Sequence, residues 1–134
     1  MEQNAGELYR SLVEILERCA SAKEMEVSTF QVEGDAALSA KSAAAYGDVV
    51  NIRLNEATIL LDINDSDAVE FDADDPDDET MILETVKGFC EKTLELHVGH
   101  DDHACFGWRN SGREVRVSEP MFRKRSSRIW RRVR

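Results

Sequence analysis

An α+β domain is the fold class this chain predicts. Three observations carry the prediction: an opening stretch with apolar residues at helical spacing, two separate runs in which apolar and polar residues alternate, and a proline-led helix start between them. A length of 134 residues suits one domain with a single core and no disulfide staples. The expected order is helix, antiparallel strands, second helix, three-strand meander, with the helices packed on one face of the sheet. Residues 1–120 form an acidic α+β domain in this reading, and residues 121–134 a basic amphipathic C-terminal tail.

The first helix is expected from Ala5 to about Ala22, because Leu8, Leu12, Ile15, Leu16 and Cys19 share one face while Glu7, Arg10, Glu14, Glu17 and Arg18 occupy the other. MEVSTFQV, Met25 to Val32, has strand composition, but its apolar positions change parity between Val27 and Phe30. That change predicts a bulge or an edge strand. The alanine- and serine-rich segment from Gly34 to Gly47 lacks a clear period and reads as a long connection.

GDVVNIRLNEATILLDINDSDAVEFD predicts a three-strand meander. A first turn at Asn55 and Glu56 sets Leu54 opposite Ala57, Ile52 opposite Ile59 and Val50 opposite Leu61. A second turn through Asn64, Asp65 and Ser66 sets Val69 opposite Leu61 and Phe71 opposite Ile59. Asp75 followed by Pro76, Asp77, Asp78 and Glu79 then marks a helix N-terminus, with a capping carboxylate, proline at the first position and acids at the positive end of the dipole. This helix is expected to run to about Thr93 and to bury Ile82, Val86, Phe89 and Cys90. Gly88 inside it costs about 1 kcal/mol relative to alanine, so close packing against a neighbour is expected there. LELHV, ACFGWRN and REVRVS form the last meander, with Trp108 opposite Val115 and Phe106 opposite Val117.

Charge is distributed unevenly. The formal net charge is -10, yet seven of the seventeen basic residues lie in the last twelve positions, RKRSSRIWRRVR. The preceding residues hold ten basic and twenty-seven acidic groups, a net of -17. Such a body repels nucleic acid and anionic membrane and favours a basic protein partner. Between Asp62 and Glu79 there are ten acids and no base. No frame there fits a twelve-residue calcium loop: a start at Asp62 puts Asp67 where glycine is needed, and starts at Asp65 or Asp72 put Val69 or Pro76 at a ligand position. Asp62, Asp65, Asp67, Glu70, Asp72, Asp74 and Asp75 are therefore the candidate partner-binding residues.

The stretch HVGHDDHAC holds all three histidines. Pairing Leu94, Leu96 and Val98 with Trp108, Phe106 and Ala104 places His97 opposite Cys105 and beside His103. These three are the candidate metal ligands, and their chemistry suits zinc. Their spacing matches no standard finger or HExxH pattern, so a solvated hairpin without metal is the expectation, and no cofactor is predicted. The tail is read as an amphipathic helix. Arg125, Arg128, Trp130, Arg131 and Arg132 are its candidate contact residues, with the tail folded back so that Ile129 and Trp130 are buried against the body and the arginines cover the acids, or exchanged with a second copy in a homo-oligomer; a disordered tail and a free tail that binds a partner are the alternatives. Nucleic acid is a possible partner through this tail only.

The opening residues carry no secretory signal and no run approaches a membrane span. Cys19, Cys90 and Cys105 form no CxxC pair and read as reduced thiols, which fits a cytoplasmic location. With no nucleophile elbow, phosphate-binding glycine loop or dinucleotide fingerprint, the expectation is not an enzyme but a protein-binding module of inhibitor, immunity or chaperone type. Its alternatives are a nucleic-acid-associated protein using the arginine tail, and a small metalloprotein using the histidine hairpin.

Overall fold

The computed structural model describes residues 2–23, 25–44, 46–99, 102–110, 112–116 and 129–134. Helix α1 (Glu2–Lys23) buries Ala5, Leu8, Tyr9, Leu12, Leu16 and Cys19 at helical spacing, and its five predicted polar positions are exposed. Five strands follow: β1 (Met25–Val32), β2 (Asp35–Ser42), β3 (Val49–Asn55), β4 (Thr58–Ile63) and β5 (Val69–Asp72). They form one antiparallel sheet in sequence order. Helix α2 (Pro76–Glu91) comes next, then β6 (Glu95–Val98), β7 (Cys105–Asn110), β8 (Arg113–Arg116) and β9 (Ile129–Arg132) in a second sheet ordered β8-β7-β6-β9. The α+β class is as predicted, but two sheets stand where one was expected.

The inner face of the first sheet carries Leu38, Ala40, Val50, Ile52, Ile59, Leu61, Ile63 and Phe71, all buried in a single cluster with both helices. Helix α1 packs on β1, β3 and β4, while α2 touches β5 and also β7, joining the two sheets. The start of α2 follows its predicted chemistry, since the Asp75 carboxylate accepts from the Asp77 amide at 2.9 Å and Pro76 occupies the first turn. Ile82, Val86, Phe89 and Cys90 are buried as expected. Gly88 lies against Asn110, where an added Cβ would come within 2.7 Å of the side-chain nitrogen. The close approach is real, and Asn110 uses it to donate to the Glu84 carbonyl at 3.0 Å.

Several placements differ from the sequence reading. The supposed connection after Gly34 is strand β2, paired on both sides. Its alanines alternate without announcing it: Ala36, Leu38 and Ala40 face inward while Ala37 lies on the other face at 3% exposure. Strand β1 pairs with β2 over eight regular residue pairs, so it is an edge strand and has no bulge. The first meander turn is Glu56–Ala57, with Asn55 opposite Thr58 and Ile52 opposite Leu61, two residues beyond the expected register. A shift of two leaves every side chain on its face, so alternation cannot detect it. The second turn is as predicted, with Leu61 opposite Val69 and Ile59 opposite Phe71.

A further difference is in the second sheet. Leu96 pairs with Trp108 rather than Phe106, and a bulge inserts Phe106 between Cys105, opposite Val98, and Gly107, opposite His97. Trp108 pairs with Val115 as expected, while Val117 lies outside the described residues. Residues 129–132, expected as helix, are strand β9 on the free edge of β6. Residues 129–134 thus pack on the body: Val133 is 4% exposed, and its amide donates to the Leu94 carbonyl at 2.8 Å.

Candidate partner-binding face

The outer face of the first sheet is built by the register just described. One row across it reads Phe30, Ala37, Arg53, Leu60, Glu70, and the next reads Ser28, Ser39, Asn51, Asp62. Both helices belong to the inner cluster, and among the described residues no helical one lines the groove on this side. A shallow groove of about 320 Å³ lies here, lined by Phe30, Val32, Ala37, Leu60, Asp62 and Asp65 among others. Ala37 keeps the floor low because only a methyl group stands between Phe30 and Arg53. Phe30, at 46% exposure, forms an apolar wall.

Of the seven predicted acids, Asp62, Glu70 and Asp72 sit on outward strand positions, and exposed Asp65 and Asp67 lie between β4 and β5. Asn51 gathers two of them by donating from Nδ2 to Asp62 and to Asp65, each at 2.8 Å. Burial pushes the Asp62 carboxyl above its ordinary value and the nearby Asp65 adds to this, against the Asn51 hydrogen bond. Ionised Asp62 therefore opposes folding above its ordinary value of about 4. Asp62→Asn is expected to melt at a higher temperature than wild type at pH 7, the difference vanishing near pH 3; thermal melts at both pH values check this. Asp74 and Asp75 stand apart at the entry to α2. There Asp75 is the cap, Asp74 accepts from Asn4 at 2.7 Å, and Asp72 accepts from the Asp74 amide at 2.9 Å. Arg53 is held at the opposite side of the groove by Asp35, at 2.7 Å.

The described part of the arginine end, residues 129–134, docks on the body, and its Arg131 meets acids outside the 62–79 run. Arg131 points inward and forks onto buried Asp48, with nitrogen–oxygen distances of 2.6 and 2.8 Å, and also meets Asp102 at 2.8 Å. Asp48 is 1% exposed. It also accepts from the Arg134 amide at 2.7 Å and from Asn64 Nδ2 at 2.8 Å. Burial pushes its carboxyl up, but these hydrogen bonds and the Arg131 charge outweigh burial and hold it below the ordinary value. Gly47 permits the preceding turn, where a Cβ would stand 2.5 Å from the Ser42 carbonyl oxygen. Ile129, expected to be buried, is 56% exposed, and Trp130 is half-buried. Arg132 is exposed, whereas Arg125 and Arg128 lie outside the described residues.

The bulge dismantles the predicted metal geometry. His97 faces outward and stacks on Trp130 at 4.7 Å between ring centres, with the Arg109 guanidinium 4.1 Å from the same ring. Cys105 faces the core at 2% exposure, its thiol donating to the Gly107 carbonyl. Burial pushes that thiol up to about 11, so it is protonated at neutral pH. His103 is exposed in the loop before β7. His97 and Cys105 are thus on opposite faces, and no group of three metal-ligating side chains is assembled among the described residues.

Phe30, Ala37, Arg53 and Leu60 were not singled out from the sequence. The parity change in β1 was their signal, since it is the point at which apolar residues leave the core face and begin to line the outer one. A second cleft, about 560 Å³, lies near the docked end and is lined by Lys41, Tyr46, Asp102, His103 and Arg134 among others. Its charges are mixed. No protein-family model, curated protein or solved structure matches the chain. No described helix is long and apolar enough to cross a membrane.

Proposed function

We propose that this protein acts by binding another protein rather than by catalysis, holding a basic segment with apolar anchors against the outer face of its five-stranded sheet. An inhibitor, an immunity protein or a chaperone uses such a surface. The observation that carries the reading is the groove with a floor at Ala37, apolar walls at Phe30 and Leu60, and Asp62 and Asp65 at its side. Carboxylates attract and orient a cationic partner, while the apolar floor gives its side chains somewhere to be buried. Arg131 is engaged by Asp48 and Asp102 and so is turned away from any outside partner. Three buried cysteines that form no disulfide favour a reducing, cytoplasmic setting.

A short peptide alternating lysine with leucine is a suitable probe. Binding to the full chain is expected to weaken at least about tenfold when salt rises from about 0.05 to 0.5 M. Reversing two exposed acids beside the groove, Asp67→Lys with Glu70→Lys, is expected to cost about tenfold as well, while Glu17→Lys on α1 changes little. Equal losses from the groove and helix variants would show a bulk charge effect and overturn the assignment to this face.

A further inference from the structure

We infer that the protein pairs with a second copy of itself along the free edge of β1, joining two five-stranded sheets into one antiparallel sheet of about ten strands around a two-fold axis. Among the described residues four strands stand at sheet edges: β1, β5, β8 and β9. Edges are templates for further pairing unless they are short, charged, bulged or interrupted by proline. Strands β5, β8 and β9 have four residues each and carry charges, Glu70 and Asp72, Arg113 and Glu114, Arg131 and Arg132. Strand β1 has eight residues, a regular ladder on its inner side, no lysine and no proline. Its one charge is Glu26, and from Ser28 to Gln31 it is exposed.

A second copy fits this edge by its pattern. Two bodies of net charge -10 repel, and β1, with one charge in its eight residues, adds little to that repulsion where they meet. Partners across an antiparallel ladder share a face, so only registers centred on a residue keep inner faces together. Centred on Thr29, the pairing sets Glu26 opposite Val32 and Ser28 opposite Phe30 of the other copy. The two Phe30 rings then stand diagonally within aromatic reach, covering the largest apolar side chain this strand exposes. Centred on Ser28 instead, it would set Glu26 against Phe30. The two outer grooves, each walled by Phe30, become neighbours across the axis.

The experiment is a mass measurement by light scattering or sedimentation on the full chain from about 10 to 100 µM, a range set by the micromolar affinity of a modest interface. The expected result is twice the chain mass for wild type and the single mass for Thr29→Lys, with an unchanged circular dichroism spectrum. Independently of how that variant folds, Thr29→Cys is expected to cross-link to its own copy on mild oxidation, and Gln31→Cys, which faces Val27 in this register, is not. A monomeric wild type, a dimeric Thr29→Lys, or equal cross-linking of both cysteine variants overturns the inference. Thr29→Lys changes mass and Asp67→Lys with Glu70→Lys changes peptide binding, so failure of either reading is seen separately.

Discussion

Arg131→Ala is expected to lower the thermal midpoint by about 10–20 °C. Arg131 is 9% exposed at its side chain and Asp48 1%, so removing the guanidinium leaves a carboxylate in the core with its main counter-charge gone. Removing one partner of a buried pair costs about 3–5 kcal/mol, and each kcal/mol moves the midpoint of a domain this size by roughly 3–5 °C. The loss extends further, because Arg131 also binds the Asp102 carbonyl at 2.9 Å and so ties β9 to the loop before β7. Asp48→Asn with Arg131→Met, which removes both charges, is expected to recover a large part of the loss. Acid acts on the same pair. The folded Asp48 carboxyl sits below its ordinary value, so its contribution is complete above about pH 4 and is lost as pH falls through the lower folded value. Melts of wild type and Arg131→Ala from pH 7 to pH 2 are expected to converge at the acid end.

Trp108→Ala is expected to cost about 3–5 kcal/mol, read as a lower urea midpoint with an unchanged slope. The indole is 1% exposed, and its Nε1 donates to the Thr85 hydroxyl at 3.0 Å, which in turn donates to the Met81 carbonyl at 2.8 Å. This short chain of hydrogen bonds fastens the second sheet to α2. Trp108→Phe keeps most of the apolar volume and loses the donor, so its cost is expected nearer 1–2 kcal/mol.

Patterns with one face apolar were legible in the sequence: α1, the α2 cap and its buried side, and the alternation of β3 to β5 all follow from periodicity and capping chemistry. What alternation cannot see is a displacement by two, which is why the turn at Glu56–Ala57 was misplaced while Ile52 and Leu61 still face the core. Strand β2 escaped notice because Ala37 and Ala40 are small on both faces and leave no contrast to read. The bulge at Phe106 reversed the side on which Cys105 lies, and a single inserted residue has no signature in composition. Strand β9 reads as a helix by projection because four residues satisfy either period. Its true placement depends on Asp48, far away in sequence and legible only once the chain is folded.

For the candidate face, the acids were legible as a charge run, but the groove they border was not. It exists because β2 places Ala37 between Phe30 and Arg53, and that adjacency is a product of register. Asp74 and Asp75 illustrate the converse. They belong to the same run, yet their carboxylates are engaged with Asn4 and the α2 amides.

Methyl-resolved NMR of the full chain, titrated with the lysine–leucine peptide at low salt, tests the proposed binding face most directly. The account predicts shifts of the Leu60, Val32 and Ala37 methyl groups, with Leu12 and Leu16 beneath α1 unchanged. Shifts confined to Ile129 and its neighbours on β9, or none at all at a concentration where the peptide binds, would contradict it.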